Sequence, residues 1–334
     1  DLHAVFMHNW DHDGEMCPTS SQDFKDAQRT ASSLQIPLHM VNFTKEYWIQ
    51  VFEPMVSALE QGLTPNPDVR CNQTIKFVGT ADFVATGHYA QLGFSTTDVS
   101  YPPASQLLRA LDRKKDQSYF LSTVSGSALN RTLFPLGGLP KRRVKHIAHL
   151  NNLPHVAAKR ESVGICFVNP DQRYRDFVDE FVAPRSGRFV SLTGEVKGLH
   201  DGVSKYTVGQ RARIGGQTEK WFVSAKDMET GDVTVVPGSN HPALKQTSIS
   251  IHNWTWISGT EPSLLFDSSE LRASMKVRHQ SEPLPGIFKK NLNCADGSIS
   301  YRFDFDEAER GVAAGQHAAL YLDEICLGGG TILI

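Results

Sequence analysis

The amino-acid sequence predicts an α/β protein with a Rossmann-like, parallel-sheet N-terminal domain, a mixed central domain and a C-terminal all-β barrel domain. In the first 90 residues, strand-like apolar runs alternate with segments of helical periodicity, as parallel α/β sheets require. From about residue 188 the sequence changes to short alternating runs separated by Gly, Asp and Pro. That pattern is typical of small β-barrels. Residues 115–185 between these parts are helical and loop-rich.

The N-terminal elements follow from periodicity. Helical spacing of apolar side chains predicts helices at 22–34 and 46–61, and short apolar runs predict strands at 2–8, 38–43 and 81–86. In parallel sheets, sites form at the carboxyl ends of the strands. Residues 7–10 and 86–89 both follow a predicted strand, so we expect them near a site.

The C-terminal strands are predicted by alternation of apolar and polar residues. They are residues 221–225, 233–236, 248–251, 298–305 and 318–322. One spacing in the N-terminal part is unusual, because only residues 78–80 separate the IKF run from the strand at Ala81. A crossover between parallel strands normally needs a dozen residues or more. We therefore expect a segment to be missing there.

Composition excludes several classes of protein. Of the 334 residues, 40% are hydrophobic and 21% charged, which is typical of a soluble globular chain. Without an apolar run of about 18 residues, no membrane partner is expected. The net charge of −2 argues against nucleic-acid binding by the whole surface, but not by a local basic face. Basic residues cluster at 109–115 and 141–145, where the alternative is a solvated helix or loop.

The five cysteines are Cys17, Cys71, Cys166, Cys294 and Cys326. They are widely spaced, odd in number and lack a C-x-x-C pair, so neither a zinc site nor a secreted disulfide framework is expected. A reducing compartment with one or two functional thiols fits better.

Two cysteines lie in distinctive segments. In TPNPDVRCN, residues 64–72, two prolines stiffen a loop that presents Asp68 and Cys71 one helical turn apart. The alternative is a proline-rich turn with one buried cysteine. In ESVGICFVN, residues 161–169, Gly164 precedes Cys166 by two positions. Here a buried, inert thiol is the commoner case.

Two further motifs suit nucleotide or RNA contact. In ATGHYA, residues 85–90, Gly87 at a strand end permits close approach of a nucleotide, although His88 also fits a satisfied core residue. LDRKKDQSYFLS, residues 111–122, mixes cations, an amide and aromatics, which suits phosphate contact and base stacking. The same mixture is common on an exposed helix.

Together and in order, these segments resemble the tRNA-specific 2-thiouridylases. The matching blocks include FMHNWD (6–11), GLTPNPDVRCN (62–72), ATGHYA (85–90), KDQSYFLS (115–122), FPLGGLPK (134–141), ESVGICF (161–167), YTVGQR (206–211), GQHAALY (315–321) and CLGGG (326–330). They span nearly the whole chain. The RARIGG, NHPAL and KVRHQ runs are similar to the mitochondrial branch, which implies a mitochondrial location, with the bacterial cytoplasm as the alternative.

The resemblance implies a fold and a reaction. The expected organisation is a PP-loop ATP pyrophosphatase domain at 1–135, a central domain or linker carrying the persulfide cysteine at 136–190, and a β-rich tRNA-binding region at 191–334. Enzymes of this family use ATP, with Mg²⁺, to adenylate the O2 of a wobble uridine, and release pyrophosphate. A persulfide then supplies sulfur to give 2-thiouridine as AMP leaves. The partners implied are tRNA of the Lys, Glu and Gln type and a persulfide donor of a cysteine desulfurase relay.

The resemblance also implies roles for particular residues. Cys166 matches the persulfide carrier, Cys71 its resolving partner and Asp68 an acid/base residue. Met7 and Gly87 match positions that line the adenine nucleotide. The positions that match tRNA contacts are Asn66, Pro67, Asp68, Lys115, Asp116, Gln117, Arg278 and His279.

One family feature, an S-G-G-x-D-S-S phosphate loop, is not in the sequence. The resemblance implies that it lies upstream of Leu2. Two other functions are compatible with these motifs. Another PP-loop ligase, such as a tRNA lysidine synthetase or a GMP synthetase-like amidotransferase, would not depend on Cys71 and Cys166. A non-catalytic tRNA-binding protein would lack the phosphate loop in its complete sequence.

Overall fold

The computed structural model of the chain describes residues 1–12, 15–16, 18–77, 81–94, 105–159, 173–262, 265, 269–291 and 299–333. The α-helices are α1 (Pro18–Leu34), α2 (Thr44–Tyr47), α3 (Glu53–Glu60), α4 (Pro67–Cys71), α5 (Ser118–Leu121), α6 (Gly126–Leu129), α7 (Lys141–Leu150), α8 (Pro154–Ala158) and α9 (Tyr174–Phe181). Two π-helical segments, Trp48–Phe52 and Asn72–Lys76, join α2 to α3 and extend α4. Two short 3₁₀ turns lie at Val203–Lys205 and Pro242–Leu244. Among the described helices, none has the length and apolar character needed to cross a membrane.

The strands fall into an N-terminal and a C-terminal group. The N-terminal strands are β1 (Ala4–His8), β2 (Asp11–His12), β3 (Glu15–Met16), β4 (Leu38–Asn42), β5 (Val84–Ala85), β6 (Ala90–Phe94), β7 (Ser105–Arg109) and β8 (Thr132–Leu133). The C-terminal strands are β9 (Gly187–Ser191), β10 (Val196–His200), β11 (Arg211–Ala212), β12 (Trp221–Lys226), β13 (Val233–Pro237), β14 (Lys245–Trp256), β15 (Glu270–Lys276), β16 (Leu284–Asn291), β17 (Ser300–Arg310), β18 (His317–Leu322) and β19 (Ile325–Leu333).

Two pairs of N-terminal strands are parallel, as predicted, whereas β2–β3 and β6–β7 are antiparallel hairpins. β1 pairs with β4 in a register from Ala4↔Leu38 to His8↔Asn42, with α1 as the crossover between them. β5 pairs with β8 in the same sense. Within the described ranges no strand bonds to both pairs, so they stay separate two-stranded sheets. Residues 78–80, where a missing segment was expected, lie outside the described residues.

A helical layer packs around Cys71. The continuous helical segment 44–60 contributes Tyr47, Phe52 and Met55 to a buried cluster, and α9 adds Phe177. Cys71 belongs to the same cluster, so α9 packs against the end of α4 through shared apolar neighbours. Burial of these side chains explains why α4 and its π-helical extension, ten residues together, are stable here, since isolated helices this short are not.

The C-terminal part forms the predicted barrel. Strands β14-β17-β16-β15-β18-β19 form a sheet that closes through pairing of β14 with β19. Closure leaves no free edge along most of this sheet. The hairpin of β6 and β7 extends it, because Ile325 and Cys326 of β19 pair with Leu108 and Leu107. A separate five-stranded sheet, β10-β9-β13-β12-β11, precedes the barrel. The predicted fold class is thereby confirmed.

Candidate active site

The segment from Gly62 to Cys71, here called the 62–71 loop, includes helix α4, and its own residues determine where that helix begins. The Asn66 side chain accepts a hydrogen bond from the Val69 amide at 3.4 Å and caps α4, and Pro67 is the first helical residue. Both residues favour the start of a helix. Asp68 therefore lies in the first turn of α4, and Cys71 lies one turn later on the same side.

Two other parts of the protein hold this loop. The Thr64 amide donates to the Ala314 carbonyl oxygen at 2.8 Å, and a Cβ at Gly315 would lie 2.6 Å from the Leu63 Cβ. Gly62 has a φ of +77°, and a Cβ there would lie 2.7 Å from the Met228 Cγ. Only glycine fits either position. The loop thus lies where the barrel and the five-stranded sheet meet the N-terminal part.

The Asp68 carboxylate is partly buried, and among the described residues no group donates a hydrogen bond to it. Burial raises the pKa of Asp68 above its ordinary value of 3.8, while the positive charge of Lys76 opposes that shift. A carboxyl group whose pKa moves toward neutrality is suited to exchange protons at physiological pH.

Two of the five cysteines, Cys71 and Cys326, lie among the described residues, and both are buried. Cys71 ends α4, whereas Cys326 lies in β19 between core residues. Burial, and to a smaller extent the charge of Asp116, raise the pKa of the Cys326 thiol to about 12, so this thiol is inert near neutral pH. Cys166, Cys17 and Cys294 lie outside the described residues.

The chain on both sides of the Cys166 segment contacts the N-terminal part. Before it, the Lys159 ammonium pairs with Asp23 at 2.7 Å and with Asp26 at 2.8 Å, both on α1. After it, Phe177 of α9 packs into the cluster that contains Cys71.

The two positions expected to line a nucleotide follow strands β1 and β5. Met7 is half-buried against the Cys71 cluster. In the next two residues, the buried His8 Nδ1 and Asn9 Oδ1 atoms have no hydrogen-bond partner among the described residues. Gly87 is exposed, and a Cβ there would meet only Leu136, at 3.8 Å. The His8 and Asn9 atoms lack hydrogen-bond partners within the described part of the chain and follow the half-buried Met7 side chain. Such a setting fits an adenine ring, which offers both a hydrogen-bond donor and hydrogen-bond acceptors.

His88 lies beside this position and is neutral. Burial, with the charge of Lys76, lowers the pKa of His88 to about 3. Its Nδ1 atom lies 2.8 Å from the Thr86 hydroxyl, so the ring has a local partner. Within the described ranges, no group of three His, Cys, Asp or Glu side chains is placed to hold a metal ion.

The predicted RNA-contacting residues 115–117 differ in exposure. The Asp116 side chain is buried, and its carboxylate accepts hydrogen bonds from the Ala110 amide at 3.0 Å and the Ser118 hydroxyl at 3.0 Å. It also lies 3.3 Å from the Lys276 ammonium. This carboxylate is saturated by protein groups. A contact of Asp116 with tRNA stays a prediction, and in this arrangement its side chain acts inside the protein.

Lys115 is half-buried, and the Gln117 side chain accepts a hydrogen bond from the Tyr89 amide at 2.9 Å. The other two predicted tRNA contacts, Arg278 and His279, lie next to this segment. The Arg278 guanidinium donates to Glu309 and to the Arg310 carbonyl oxygen. The His279 ring centroid lies 4.3 Å from that of Phe120, and burial lowers the pKa of His279. The fold therefore brings the two segments, more than 150 residues apart in sequence, together.

Sequence reasoning missed a buried polar network that joins the 62–71 loop to the barrel. The Tyr119 hydroxyl donates to the His317 carbonyl oxygen at 2.9 Å, and the Asn66 side chain hydrogen-bonds to the same hydroxyl. The His317 ring lies 2.7 Å from the Ser122 hydroxyl, and burial lowers the pKa of His317 to about 3. Tyr119 and His317 lie within two of the quoted motifs, KDQSYFLS and GQHAALY, but nothing in one sequence indicates that they meet.

Comparison with known proteins assigns domain families to three ranges of the chain. Profiles described as tRNA methyl transferase HUP domain, tRNA methyl transferase PRC-barrel domain and aminomethyltransferase beta-barrel domain match residues 1–170, 175–237 and 246–332. Together they define a HUP-domain protein with two β-rich domains, as the fold indicates.

Named relatives of similar sequence identify the protein family. The human mitochondrial tRNA-specific 2-thiouridylase 1 is 40% identical over 360 residues, covering 99% of this chain and 84% of the human protein. The tRNA-specific 2-thiouridylase MnmA of Psychrobacter arcticus is 39% identical over 348 residues, with the same coverage. That of Acinetobacter baylyi is 38% identical, covering 99% of this chain and 90% of the relative. The chain belongs to the tRNA-specific 2-thiouridylase family, which confirms the resemblance seen in its motifs.

Proposed function

We propose that this chain is a tRNA 2-sulfurtransferase, which converts the wobble uridine of Lys-, Glu- and Gln-type tRNA to 2-thiouridine. The observation that carries the proposal is the placement of Asp68 and Cys71. They lie one helical turn apart on α4, at the meeting point of the three parts of the molecule, in a chain about 40% identical to named 2-thiouridylases.

ATP supplies the activating group for the uridine O2, which is otherwise a poor leaving group. In this chain Met7 and Gly87 line the adenine side, and the unmet His8 and Asn9 atoms offer it hydrogen bonds. Mg²⁺ accompanies the phosphates, since this ion binds proteins through few side chains when a nucleotide is present. Asp68 exchanges the proton that the uridine base must lose or regain.

Sulfur reaches the base through two thiols. A donor protein of the cysteine desulfurase class loads Cys166 as a persulfide. The Cys71 thiolate then attacks the inner sulfur, forming a Cys71–Cys166 disulfide, and the outer sulfur leaves with the electron pair of the broken bond. That sulfur attacks C2 of the activated uridine, and AMP departs. An external dithiol, or two molecules of a monothiol, then reduces the Cys71–Cys166 disulfide and is itself oxidised to a disulfide.

Chain geometry supports this pairing. Cys166 is seven residues from Lys159 and seven from Arg173 in sequence, and a chain of seven residues spans at most about 25 Å. Lys159 is anchored to α1, and α9, which begins directly after Arg173, packs into the Cys71 cluster. The described residues on both sides of Cys166 in sequence therefore contact the part of the protein that contains Cys71.

The tRNA meets the protein around the same loop. Asn66, Pro67 and Asp68 contact the target base, which must leave the anticodon stack to be reached. Lys115 and Gln117, with Arg278 and His279, form the surrounding contacts, and the buried Asp116 side chain holds their segment in place. The proximity of these two segments to each other and to Asn66, through Tyr119 and Phe120, supports a single RNA surface.

The relay is tested by three matched serine variants. Cys166→Ser should accept no sulfane sulfur, whereas Cys71→Ser should load persulfide on Cys166 but make no thiouridine. Cys326→Ser, at a thiol that burial keeps protonated, should do both at wild-type levels. Persulfide trapping with mass mapping and a thiouridine assay report the two steps. Normal thiouridine formation by Cys71→Ser, or trapped sulfur on Cys326, would contradict the relay.

We also propose that the protein is located in mitochondria. Mitochondrial and bacterial relatives match this chain about equally well, at 40% and 39% identity. The RARIGG, NHPAL and KVRHQ runs favour the mitochondrial branch. Fractionation of cells that express the complete protein tests this, and exclusive recovery in the cytosol would contradict it.

A further inference from the structure

Helix α7 carries an unusual concentration of positive charge. Between Lys141 and Lys159 the sequence has five Lys and Arg residues and no Asp or Glu, in a chain whose net charge is −2. Exposed residues recur along α7 at Arg142, Lys145, His146 and His149. That spacing of i, i+3, i+4 and i+7 places all four side chains on one face. Arg143 is exposed beside this face.

Three apolar residues of the helix lie on its other side, whereas Leu150 at its last position is exposed. Val144, Ile147 and Ala148 are half-covered, and none of the ten residues of α7 is fully buried. The basic face is therefore a free surface along a helix about 15 Å long.

Local energetics work against this arrangement. The first turn of α7 contains Lys141, Arg142 and Arg143 and no acidic residue, although the positive end of the helix dipole favours anions there. Like charges also recur at i, i+3 and i, i+4, where they repel. In the part of the chain that the structure describes, no carboxylate pairs with Arg142, Arg143 or Lys145. Other surface cations of the protein do have such partners, among them Arg188 with Asp232, Arg272 with Asp306 and Lys289 with Glu270.

The start of α7 is fixed to the predicted RNA-contacting loop. The Lys141 amide donates to the Asp112 carboxylate at 3.0 Å, and the Leu111 amide donates to the Gly137 carbonyl oxygen at 2.9 Å. The Lys141 ammonium lies 5.3 Å from the centroid of the Tyr89 ring, and the Tyr89 amide is bonded to Gln117. Helix α7 thus begins beside the segment that contains the predicted RNA contacts at 115–117.

We propose that the basic face of α7 binds the phosphate backbone of structured RNA and extends the tRNA surface beyond the active-site loops. The inference rests on the proposed function, since it takes tRNA as the substrate. A run of unpaired cations at helical spacing matches closely spaced phosphates, which an RNA stem presents along its length. An acidic protein, such as the sulfur donor, is the competing occupant.

The test removes the charge and keeps the helix. In the variant Arg142→Gln/Arg143→Gln/Lys145→Gln, each replacement is a good helix former. The control Arg188→Gln/Arg272→Gln/Lys289→Gln changes the net charge equally at cations that already have carboxylate partners. Fluorescence anisotropy measures the affinity for a full-length tRNA over a range of salt concentrations. Since each phosphate contact contributes about 0.7–0.9 to the log–log slope, the α7 variant should lose about 2–3 from the slope and roughly 100-fold in affinity at 0.1 M salt. The control should keep the wild-type slope.

A second measurement uses the unmodified protein. Acetylation of exposed lysines, read by mass spectrometry, should label Lys145 freely in the free protein and much less with tRNA bound, while Lys220 stays equally reactive. No tRNA binding by the wild-type chain would contradict the proposed function itself. Wild-type binding with an unchanged slope in the α7 variant would overturn only the inference. If that variant kept its tRNA affinity but no longer accepted sulfur from the donor, the face would belong to the acidic protein instead.

Discussion

Asp68 and Asp116 are two carboxylates in motifs of the same family, and the protein treats them differently. Asp116 is 1% exposed and is surrounded by donors, with the Ala110 and Ser118 amides, the Ser118 hydroxyl and Lys276 all in contact. Asp68 is partly buried with no donor among the described residues, and burial raises its pKa. One carboxylate is satisfied by the protein, and the other remains available.

The difference separates structure from chemistry. A fully bonded buried carboxylate joins the 109–118 segment to barrel strand β15 through Lys276 and has no remaining capacity for a substrate. A desolvated carboxylate without donors is costly for the folded protein, and such a cost is typical of sites that bind or transform something else. The same reasoning applies to Cys326, which is held in a strand, and Cys71, which ends a helix beside Asp68.

The largest effect is expected at Asp68. Asp68→Asn should slow thiolation by about 10²–10⁴ because a positioned proton donor or acceptor is lost. tRNA binding should remain. The raised pKa means that the folded state holds its proton to higher pH than the unfolded chain. The stabilising contribution of Asp68 is therefore present below the unfolded-state pKa and is lost as pH rises through the folded-state pKa.

The Asn variant should accordingly be at least as stable as wild type at pH 7, because its amide carries no charge to desolvate. Thermal unfolding and single-turnover thiouridine formation measure the two properties on one preparation. A variant that lost stability while keeping the wild-type rate would make Asp68 structural, like Asp116, and would remove the contrast.

The next effect is on stability, at the Asp116–Lys276 pair. Lys276→Met should lower the free energy of unfolding by about 3–5 kcal/mol, since it leaves a buried carboxylate without its counter-charge. Urea unfolding followed by fluorescence measures it. Arg272→Gln, which breaks an exposed pair with Asp306, is the control and should cost far less. Equal losses in the two variants would show that the buried pair has no special role in joining the 109–118 segment to the barrel.

The sequence predicted more of the fold than of the site. Short runs rich in apolar residues located the strands at 38–43, 233–236 and 318–322 within a residue or two. Such runs could not show that Thr64 bonds to Ala314, or that Gly62 packs on Met228, since these contacts join residues far apart in the chain. The motif KDQSYFLS likewise gave no sign that Asp116 is buried. A carboxylate in a polar motif is equally compatible with a ligand contact and an internal ion pair.

The smallest effect is expected at Lys76, whose positive charge acts on Asp68 as that of Lys276 acts on Asp116. The positive charge of Lys76 lowers the pKa of Asp68, against the larger effect of burial. Lys76→Met should therefore raise the pKa of Asp68 further and move its limb of the pH–rate profile to higher pH. The direction is the same whether Asp68 acts as a base, on the acid limb, or as an acid, on the alkaline limb.

Stability should change little in Lys76→Met, because no close ion pair of Lys76 is broken among the described residues. Lys76→Arg keeps the charge and should keep the wild-type profile. Lys76 also lowers the pKa of His88, so a shift alone does not identify the group. The double variant Asp68→Asn/Lys76→Met resolves this. Against the Asp68→Asn background, the lysine substitution should leave the residual profile unmoved. If the shift persisted there, it would belong to His88, and Asp68 would no longer be the group that titrates in the reaction.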